Sequence, residues 1–385
     1  FVANFGSDSS FAGNKTPQGN ADSGGIGDFY YAPPTSFLAL CTANLPSVDV
    51  IPSENFNTVL YTGNGSTKSI TGVGFQPDFV WVKSRSTGAY YNTLFDTVRG
   101  PLKRIFSNTS AVEETTANTL TAFNSNGFTL GSQAGQNAAN VTYASWNWKL
   151  GGSASSNSNG SATSQVSANV DAGISIATFT LPTTVTTIGH GLSKPPELIF
   201  QKGRVSGSAW WTFAKPVGNT KALRLDTTTN AVTSSNFWNN TDPTSSVVTI
   251  GANSGGNNSW MMYCFHSVVG YSKVGSYVGN GNVNGPFVHL GFRPKFIMIK
   301  ESVTGTGNGE WQIFDTARSP INVANDLIAA SSSGAESVNN TYQQLDILSN
   351  GFKLRSPSLA SQINYTTTYI YLAFAENPFK HSNAR

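Results

Sequence analysis

The stretch Gly74-Phe-Gln-Pro77-Asp-Phe-Val-Trp-Val-Lys83 decides the fold, because the chain repeats its pattern twice. The copies read Gly191-Leu-Ser-Lys-Pro-Pro196-Glu-Leu-Ile-Phe-Gln-Lys202 and Gly291-Phe-Arg-Pro294-Lys-Phe-Ile-Met-Ile-Lys300. Each copy is a glycine, a proline and an alternating apolar run that ends in lysine. The copies are roughly 100 residues apart, which is a domain length, whereas solenoid repeats have periods of roughly 20–50 residues. The sequence therefore predicts a string of three related domains.

The composition favours β-structure. Only 11% of the residues are charged and 12% are aromatic, whereas about 25% charged residues is typical of globular proteins. Chains of this kind form short, half-buried strands joined by polar turns. The net charge of +3 comes without any long basic run, so we expect no nucleic-acid partner. No stretch approaches the ~20 apolar residues of a membrane span, so we expect no membrane insertion.

Further motifs recur at matching places in the copies. Phe95-Asp-Thr-Val-Arg99 matches Phe314-Asp-Thr-Ala-Arg318, and each copy ends in an aromatic strand, at 143–148, 260–265 and 369–374. Side chains alternate across a strand, so these runs place one face in a core. The sequence therefore predicts an all-β chain of three tandem β-sandwich modules, of jelly-roll or immunoglobulin-like type.

The domain boundaries follow from the repeats. Residues 1–47 do not match the pattern and are too few for an independent core, so we expect them to complete a domain that begins upstream. We predict repeat 1 at 48–150, a Ser/Gly-rich linker or loop at 151–172, repeat 2 at 173–270 and repeat 3 at 271–385. Only residues 324–330 have the composition of a helical turn. Cys41 and Cys264 have no metal-ligand spacing, and we expect two separate reduced thiols in the core.

The repeat motifs resemble a known family. Gly270-Tyr-Ser-Lys-Val-Gly-Ser-Tyr-Val-Gly-Asn-Gly281, Gly291-Phe-Arg-Pro294 and Tyr369-Ile-Tyr-Leu-Ala-Phe-Ala-Glu-Asn-Pro378 resemble the C-terminal repeat of tail-fibre-like virion structural proteins of aquatic tailed bacteriophages. Residues 1–45, with Phe5-Gly-Ser-Asp-Ser-Ser-Phe-Ala-Gly-Asn-Lys15, resemble the end of the laminin-G-like (concanavalin-like) lectin domain that often precedes these repeats. At the junction, His266-Ser-Val-Val departs from the more acidic pattern of the family.

The resemblance implies a structural and host-adhesive segment of a tail fibre. Such a protein lies on the virion surface, is assembled in the host cytoplasm, and needs no cofactor. The implied partners are other virion tail proteins, two further copies of the chain in a homotrimer, and a host cell-surface glycan bound non-covalently. The aromatic content adds a hint of a trimer interface, since it exceeds what three small sandwiches need and exposed apolar patches often become interfaces. Two alternatives stay open, a glycan-degrading tail enzyme and a head or neck decoration protein without a ligand.

No catalytic constellation or metal site is predicted. Asp96 with Arg99, and Asp315 with Arg318, could act as an acid and an anion clamp, but their recurrence at one place in two repeats favours a structural role. Glycoside hydrolysis requires two carboxylates about 5–10 Å apart, and Glu113-Glu114 is the only adjacent acidic pair. We interpret that pair as part of a solvated loop. The four histidines show no metal spacing.

Aromatic side chains in polar surroundings are the predicted glycan contacts. Aligning the strands places Trp211 opposite polar residues in the other copies, so its indole is a candidate to stack on a sugar ring. Burial at a domain or subunit contact is the alternative. Tyr90 and Tyr91 with Arg85, and Trp238 among asparagines, are further loop candidates, since uncharged aromatic and amide side chains make adaptable contact surfaces.

Overall fold

The computed structural model describes residues 3–44, 50–252, 257–302, 309–356 and 362–376. Residues 45–47 of the predicted N-terminal segment and 377–385 of predicted repeat 3 lie outside this range. The chain divides into two compact units, with residues 3–44 in the first and 50–376 in the second. In the described residues, no helix is both long and apolar enough to cross a membrane.

The first unit consists mainly of turns, several of which are held by aspartate carboxylates. An isolated antiparallel bridge joins Asn20 to Phe29, and a 3₁₀ turn spans Thr42–Asn44. The Asp22 carboxylate accepts hydrogen bonds from the amides of Ala39 and Ile26, and these bonds lower its pKa to about 2. Cys41 is exposed, so the expectation that it lies in a core is wrong. The lectin-like assignment of this segment stays a prediction.

Repeat 1 covers residues 50–150, and a short 3₁₀ turn at Pro52–Glu54 precedes its first strand. Its strands are β1 (Phe56–Thr62), β2 (Lys68–Thr71), β3 (Phe79–Ser84), β4 (Thr93–Asp96), β5 (Lys103–Phe106), β6 (Glu114–Thr115), β7 (Leu120–Asn124), β8 (Gly127–Leu130) and β9 (Thr142–Trp148), and helix α1 is Ala134–Asn137.

Repeat 2 covers residues 151–270 and differs from the prediction at its start. Its strands are β10 (Ser155–Asn157), β11 (Ser164–Asn169), β12 (Ile174–Leu181), β13 (Thr186–Gly189), β14 (Leu198–Gly203), β15 (Trp211–Ala214), β16 (Lys221–Arg224), β17 (Val232–Thr233), β18 (Val247–Ile250) and β19 (Asn258–Phe265), and helix α2 is Ser235–Trp238. Strands β10 and β11 occupy much of the predicted linker, because β11 pairs with β12 along its whole length and thereby extends the sheet.

Repeat 3 covers residues 271–376. Its strands are β20 (Ser272–Val278), β21 (Phe287–His289), β22 (Pro294–Glu301), β23 (Gln312–Asp315), β24 (Ile328–Ala329), β25 (Leu345–Leu348), β26 (Gly351–Leu354) and β27 (Thr368–Ala375). The helical turn predicted at 324–330 is wrong, since this stretch forms β24, which pairs with β23 through Ile313 and Ile328.

The three repeats share one topology. Each has a large antiparallel sheet, with the strand orders β1-β9-β3-β4-β5, β12-β19-β14-β15-β16 and β20-β27-β22-β23-β24. Each also has a small sheet of two or three strands, with the orders β2-β8-β7, β13-β18 and β21-β26-β25. A separate apolar cluster in each repeat takes side chains from both of its sheets. The all-β prediction is confirmed.

The backbone conformation of the signature turn explains why each copy begins with glycine. Gly74, Gly191 and Gly291 have φ values of +92°, +75° and +88°, a region that residues with a Cβ enter only with strain. The proline lies at or two residues before the start of the strand in the middle of each large sheet, which pairs with the aromatic strand.

The other face of each large sheet packs into one cluster that all three repeats share. We call this cluster the shared core. Its aromatic members are Phe56, Phe79, Trp81, Trp146, Trp148, Phe200, Trp210, Tyr263, Phe265, Tyr271, Phe296, Trp311 and Phe374. Its ring contacts join every pair of repeats: Phe79 lies 4.4 Å from Tyr263, Phe56 lies 5.1 Å from Phe374, and Phe200 lies 5.6 Å from Trp311. The aromatic surplus that suggested a trimer interface is therefore buried within one chain.

The lysine that ends each signature strand closes the three repeats into a ring. Lys83, Lys202 and Lys300 are fully buried, and each Nζ donates to a backbone carbonyl in its own repeat and to another in a neighbouring repeat. The carbonyls of the own repeat belong to Tyr90, Ser208 and Gly309. Those of the neighbour belong to Ser333 at 3.0 Å, Ser110 at 2.9 Å and Thr228 at 2.9 Å. Repeat 1 thus bonds to repeat 3, repeat 2 to repeat 1, and repeat 3 to repeat 2.

A second set of bonds follows the same cycle. Asn92 donates to the Ala329 carbonyl at 3.1 Å, Trp210 Nε1 to that of Phe106 at 2.7 Å, and Trp311 Nε1 to that of Arg224 at 2.8 Å. The three donors occupy the same position in their repeats, just before β4, β15 and β23. The three acceptors are equivalent too. Phe106 pairs with Thr93, Arg224 with Trp211 and Ala329 with Gln312, so each acceptor lies opposite the first residue of β4, β15 or β23. The repeats therefore form a closed ring with pseudo-threefold contacts.

Candidate functional site

The Asp-Arg motifs lie at the contacts between repeats. Arg99 Nε lies 2.6 Å from Asp96 Oδ2, and both side chains are fully buried. The Tyr263 hydroxyl of repeat 2 donates to the same carboxylate at 2.9 Å. The pair in repeat 3 has the same geometry, with Arg318 Nε 2.6 Å from Asp315 Oδ2 and Trp146 Nε1 of repeat 1 donating at 3.0 Å. Neither pair is accessible to a substrate, which agrees with the structural interpretation.

Two glutamates extend these pairs across the contacts. Glu113 lies 3.3 Å from Arg99 and 2.9 Å from Arg204 of repeat 2. Burial alone would raise the pKa of Glu113, but the hydrogen bond from Arg204 and the charges of both arginines lower it. Glu336 likewise joins Arg318, at 3.2 Å, to Arg85 of repeat 1, at 2.8 Å. The candidate Arg85 therefore fixes one repeat to another, and Glu113 is not the solvated loop residue that the sequence suggested.

The third contact replaces this network by apolar side chains. The positions of Asp96 and Arg99 are occupied by Ala214 and Val217 in repeat 2, and the position of Tyr263 by Leu372 in repeat 3. Ala214 and Leu372 belong to the shared core, and Val217 packs against it. Equivalent positions at the contacts between repeats therefore hold apolar side chains at one contact and buried ion pairs at the other two.

The two tryptophan candidates differ from the prediction. Trp238 is 1% exposed and packs on Phe213 at 5.7 Å, because α2 turns its ring into the core of repeat 2. It is therefore unable to contact a glycan. Trp211 is half-buried, with Phe237 at 4.1 Å from its ring and the Arg224 guanidinium at 5.7 Å. Both contacts lie within repeat 2, so its own repeat partly covers the ring, and the alternative of burial at a domain or subunit contact stays a prediction.

Tyr90 and Tyr91 line a cleft on repeat 1 with a volume of about 230 Å³. We call it the Tyr91 cleft. Its lining comes from the β3–β4 connection, from β4, β5 and β6, and from α1 with the residue before it. The lining residues include Tyr90, Tyr91, Thr93, Arg104, Phe106, Glu114, Gln133 and Gln136. Tyr91 is 48% exposed, and its ring meets Phe106 edge to face at 5.2 Å.

The polar groups of the Tyr91 cleft are held in place. Arg104 lies 2.7 Å from Glu114 and above the Phe106 ring at 5.3 Å. The buried Gln136 accepts a hydrogen bond from Thr119 and donates one to Thr93. The cleft therefore offers an aromatic surface beside one guanidinium, one carboxylate and amide groups. Such a set can bind a polar, hydroxylated ligand through ring stacking and hydrogen bonds.

The Tyr91 cleft is a property of repeat 1. Thr93 lines it, whereas the equivalent strand positions hold Trp211 in repeat 2 and Gln312 in repeat 3. Trp211 packs on Phe237, and Gln312 donates a hydrogen bond to Gln362 at 2.6 Å. The small Thr93 leaves space that larger side chains fill elsewhere.

The three histidines in the described part of the chain, His190, His266 and His289, belong to no metal-binding cluster there. Among the described residues, no group of three or more His, Cys, Asp or Glu is placed to hold a metal ion. His190 is buried, with Nε2 at 3.1 Å from the Thr244 carbonyl and Nδ1 accepting from the Leu192 amide. Burial lowers its pKa to about 4, so the ring is a neutral part of the turn.

The sequence analysis named Tyr90 and Tyr91 as candidates but did not predict which side chains surround them. Arg104, Phe106 and Gln136 were not singled out, and Glu114 was considered only together with Glu113, because the lining residues come from different elements and no spacing links them. The available signal was Lys103-Arg104 on a short strand opposite Glu113-Glu114, which β5 and β6 bring together.

Residues 51–378 match the model of a protein family described as a domain of unknown function, DUF7483, so the chain belongs to this family. The match covers all three repeats as one domain. No curated protein and no solved structure matches the chain.

Proposed function

We propose that this DUF7483 chain is a structural and host-adhesive segment of a phage tail fibre that binds a cell-surface glycan non-covalently. The observation that supports a binding role is the Tyr91 cleft, where an exposed ring lies beside fixed polar groups. The proposal places the protein on the virion surface, after assembly in the host cytoplasm, with other tail proteins as neighbours. The motif resemblance described above supplies the phage setting.

The alternative of a glycan-degrading enzyme has less support. A general acid requires a carboxyl with a raised pKa, whereas the pKa of Glu113 is lowered by its arginine partners. Glu114 is paired with Arg104. Replacing both by glutamine, in Glu113→Gln and Glu114→Gln, is expected to leave any polymer degradation unchanged. Loss of such an activity in these variants would favour the enzyme.

The binding proposal is tested with the labelled protein on an array of bacterial surface glycans. We expect Tyr91→Ala to weaken binding about tenfold or more, the loss expected when a stacking ring of about 1.4 kcal/mol or more is removed. Tyr342→Ala is the matched control, because Tyr342 is 54% exposed on repeat 3 and does not line the cleft. Equal binding of both variants and the wild type to every glycan would contradict the proposed site.

A homotrimer remains part of the proposal, although the aromatic argument for it no longer applies. Light scattering behind a sizing column gives the mass directly. A mass near three chains that persists on dilution would support the fibre arrangement. A mass of one chain would favour the decoration protein, in which the ring of repeats is complete in a single molecule.

A further inference from the structure

The Tyr91 cleft contains one positive and one negative side chain. Among the described residues that line it, only Arg104 and Glu114 carry a charge. They are partners on the paired strands β5 and β6, and Glu114 Oε2 lies 2.9 Å from Arg104 Nε and 2.7 Å from Nη2. The two charges of the lining therefore cancel, and this balance bears on the kind of ligand that the cleft accepts.

Arg104 keeps one end of its guanidinium available to a ligand. Its side chain is 14% exposed, and no acceptor in the described part of the chain bonds to Nη1. A Cβ on Gly135 of α1 would lie 3.9 Å from Nη1, so this nitrogen is on the side of the guanidinium that faces the helix across the cleft. Its two N–H groups can donate to a hydroxyl or to a carboxylate.

Glu114 also keeps one of its oxygens available. Its side chain is 41% exposed, and both short contacts with Arg104 are made by Oε2, so Oε1 can accept a hydrogen bond from a ligand hydroxyl. A hydroxyl donates and accepts, so the hydroxyls of one sugar ring can satisfy both residues. A carboxylate only accepts, and it would bring a second negative charge beside Glu114, which is unfavourable.

Buried side chains hold this pair in a fixed place. Thr93 and Gln136 are both 1% exposed and are bonded to each other at 2.8 Å. The buried Phe106 ring lies 5.3 Å from the Arg104 guanidinium and 5.2 Å from the Tyr91 ring. The cleft volume of about 230 Å³ is below the range of ~300–1,000 Å³ for drug-sized ligands. A single sugar ring is therefore the ligand size that suits it.

We propose that the Tyr91 cleft selects a neutral sugar ring, a hexopyranose without a carboxylate, and that Glu114 sets this preference by neutralising Arg104. The inference rests on the proposed glycan binding and names the ligand class of that site. Without its partner, the Arg104 guanidinium would be a strong binding group for a carboxylate. Glu114 is therefore the specificity-determining residue, and a hexuronate is the ligand that the pair excludes.

The test compares neutral sugars with acids of the same shape. The purified chain is titrated with the methyl glycosides of glucose, galactose and mannose, and with the corresponding methyl uronosides, which differ only at C6. Saturation-transfer difference NMR reports the binding of each. We expect a saturable signal from at least one neutral glycoside, with its uronoside bound about tenfold more weakly or less. The signal should be lost in Tyr91→Ala.

Glu114→Gln tests the assigned role directly. It keeps the shape of the side chain but leaves the Arg104 charge without its partner, so we expect the uronosides to bind about tenfold more tightly than to the wild type. Adding Arg104→Gln to this variant should remove the gain. Glu54→Gln is the matched control, because Glu54 is an exposed residue of repeat 1 that does not line the cleft.

The outcomes separate this inference from the proposed function. Uronosides that bind the wild type as tightly as the neutral glycosides, with the same loss in Tyr91→Ala, would overturn the neutral preference and leave the proposed glycan binding intact. Uronoside affinity that is unchanged in Glu114→Gln would overturn the role of Glu114. Binding of neither class, or binding that Tyr91→Ala does not alter, would overturn the inference together with the proposed site.

Discussion

Lys83, Lys202 and Lys300 are cations held among carbonyls, and burial lowers the pKa of each to about 8. In the unfolded chain a lysine titrates near 10.4. Between these values the unfolded chain binds more protons than the folded chain, so the free energy of unfolding rises with pH. Below pH 8 both states are protonated and the lysines add no slope. Burial raises the pKa of the Cys264 thiol, which gives a smaller slope of opposite sign above about pH 9.

We predict that each buried lysine adds about 1–2 kcal/mol to the free energy of unfolding between pH 8 and 9.5. Urea denaturation of the wild type and of Lys202→Met at several pH values measures this contribution, since all other groups cancel in the difference. The difference between the two proteins should change with pH in this window. Lys149→Met, at an exposed position, is the control for loss of a surface charge. Parallel curves for the wild type and Lys202→Met would refute the prediction.

The sequence contained a signal for these lysines that residue-level reasoning did not use. A lysine ends all three signature strands, although charged residues are scarce in this chain. A surface lysine would have no reason to recur at one register position. Its partner carbonyls, however, lie in another repeat, and no local pattern encodes that contact. Trp238 was misjudged for a related reason: its polar neighbours Asn239 and Asn240 are exposed, whereas its own ring points inward.

At the scale of elements, the three contacts between repeats use equivalent turns, but two of them hold buried ion pairs and the third holds apolar side chains. The turn after β4 carries the buried Asp96–Arg99 pair, which Tyr263 of repeat 2 completes, while the equivalent turn after β15 is apolar. Removing one partner of a buried ion pair strands a charge, whereas replacing the whole set by apolar groups can be neutral. The turn after β15 shows that this backbone accepts the apolar solution.

We therefore predict that Asp96→Ala lowers the free energy of unfolding by about 3–5 kcal/mol, because Arg99 is left buried without its main partner. The combination Asp96→Ala, Arg99→Val and Tyr263→Leu copies the third contact and should recover most of that loss. Urea midpoints of the two variants decide the matter. A triple variant as unstable as the single one would show that the apolar set depends on other residues of repeats 2 and 3.

The strand content of the signature segments was predictable from their alternation, and β3, β14 and β22 lie where the pattern placed them. The predicted linker was not recognisable as β10 and β11, because Ser, Asn and Gly favour turns and only pairing with the next strand made this segment extended. Tertiary context overrode a weak local preference.

At the scale of the whole molecule, the shared core makes the three repeats depend on one another. Each large sheet packs its inner face on side chains of the other two, as Phe79 does on Tyr263. Exposing that face would cost roughly 1.5–3 kcal/mol for every large side chain uncovered. The string of separate domains that the period suggested is thus a single compact unit.

We predict that residues 50–376 unfold in one cooperative transition. Differential scanning calorimetry should give equal calorimetric and van't Hoff enthalpies for this unit. The Lys202→Met variant should move the whole transition to a new temperature without splitting it. Three resolved transitions would mean that the repeats are stable alone and that the shared core is a minor contact.

The closed ring also has an evolutionary consequence. In an assembly of three identical chains, every substitution enters three times, so all three contacts and all three surfaces must tolerate it together. Here the three repeats are encoded separately, so repeat 1 can acquire a cleft and repeat 2 a longer signature turn while repeat 3 has neither. The number of copies is fixed in return, since a fourth would have no gap to enter and the loss of one would open the ring.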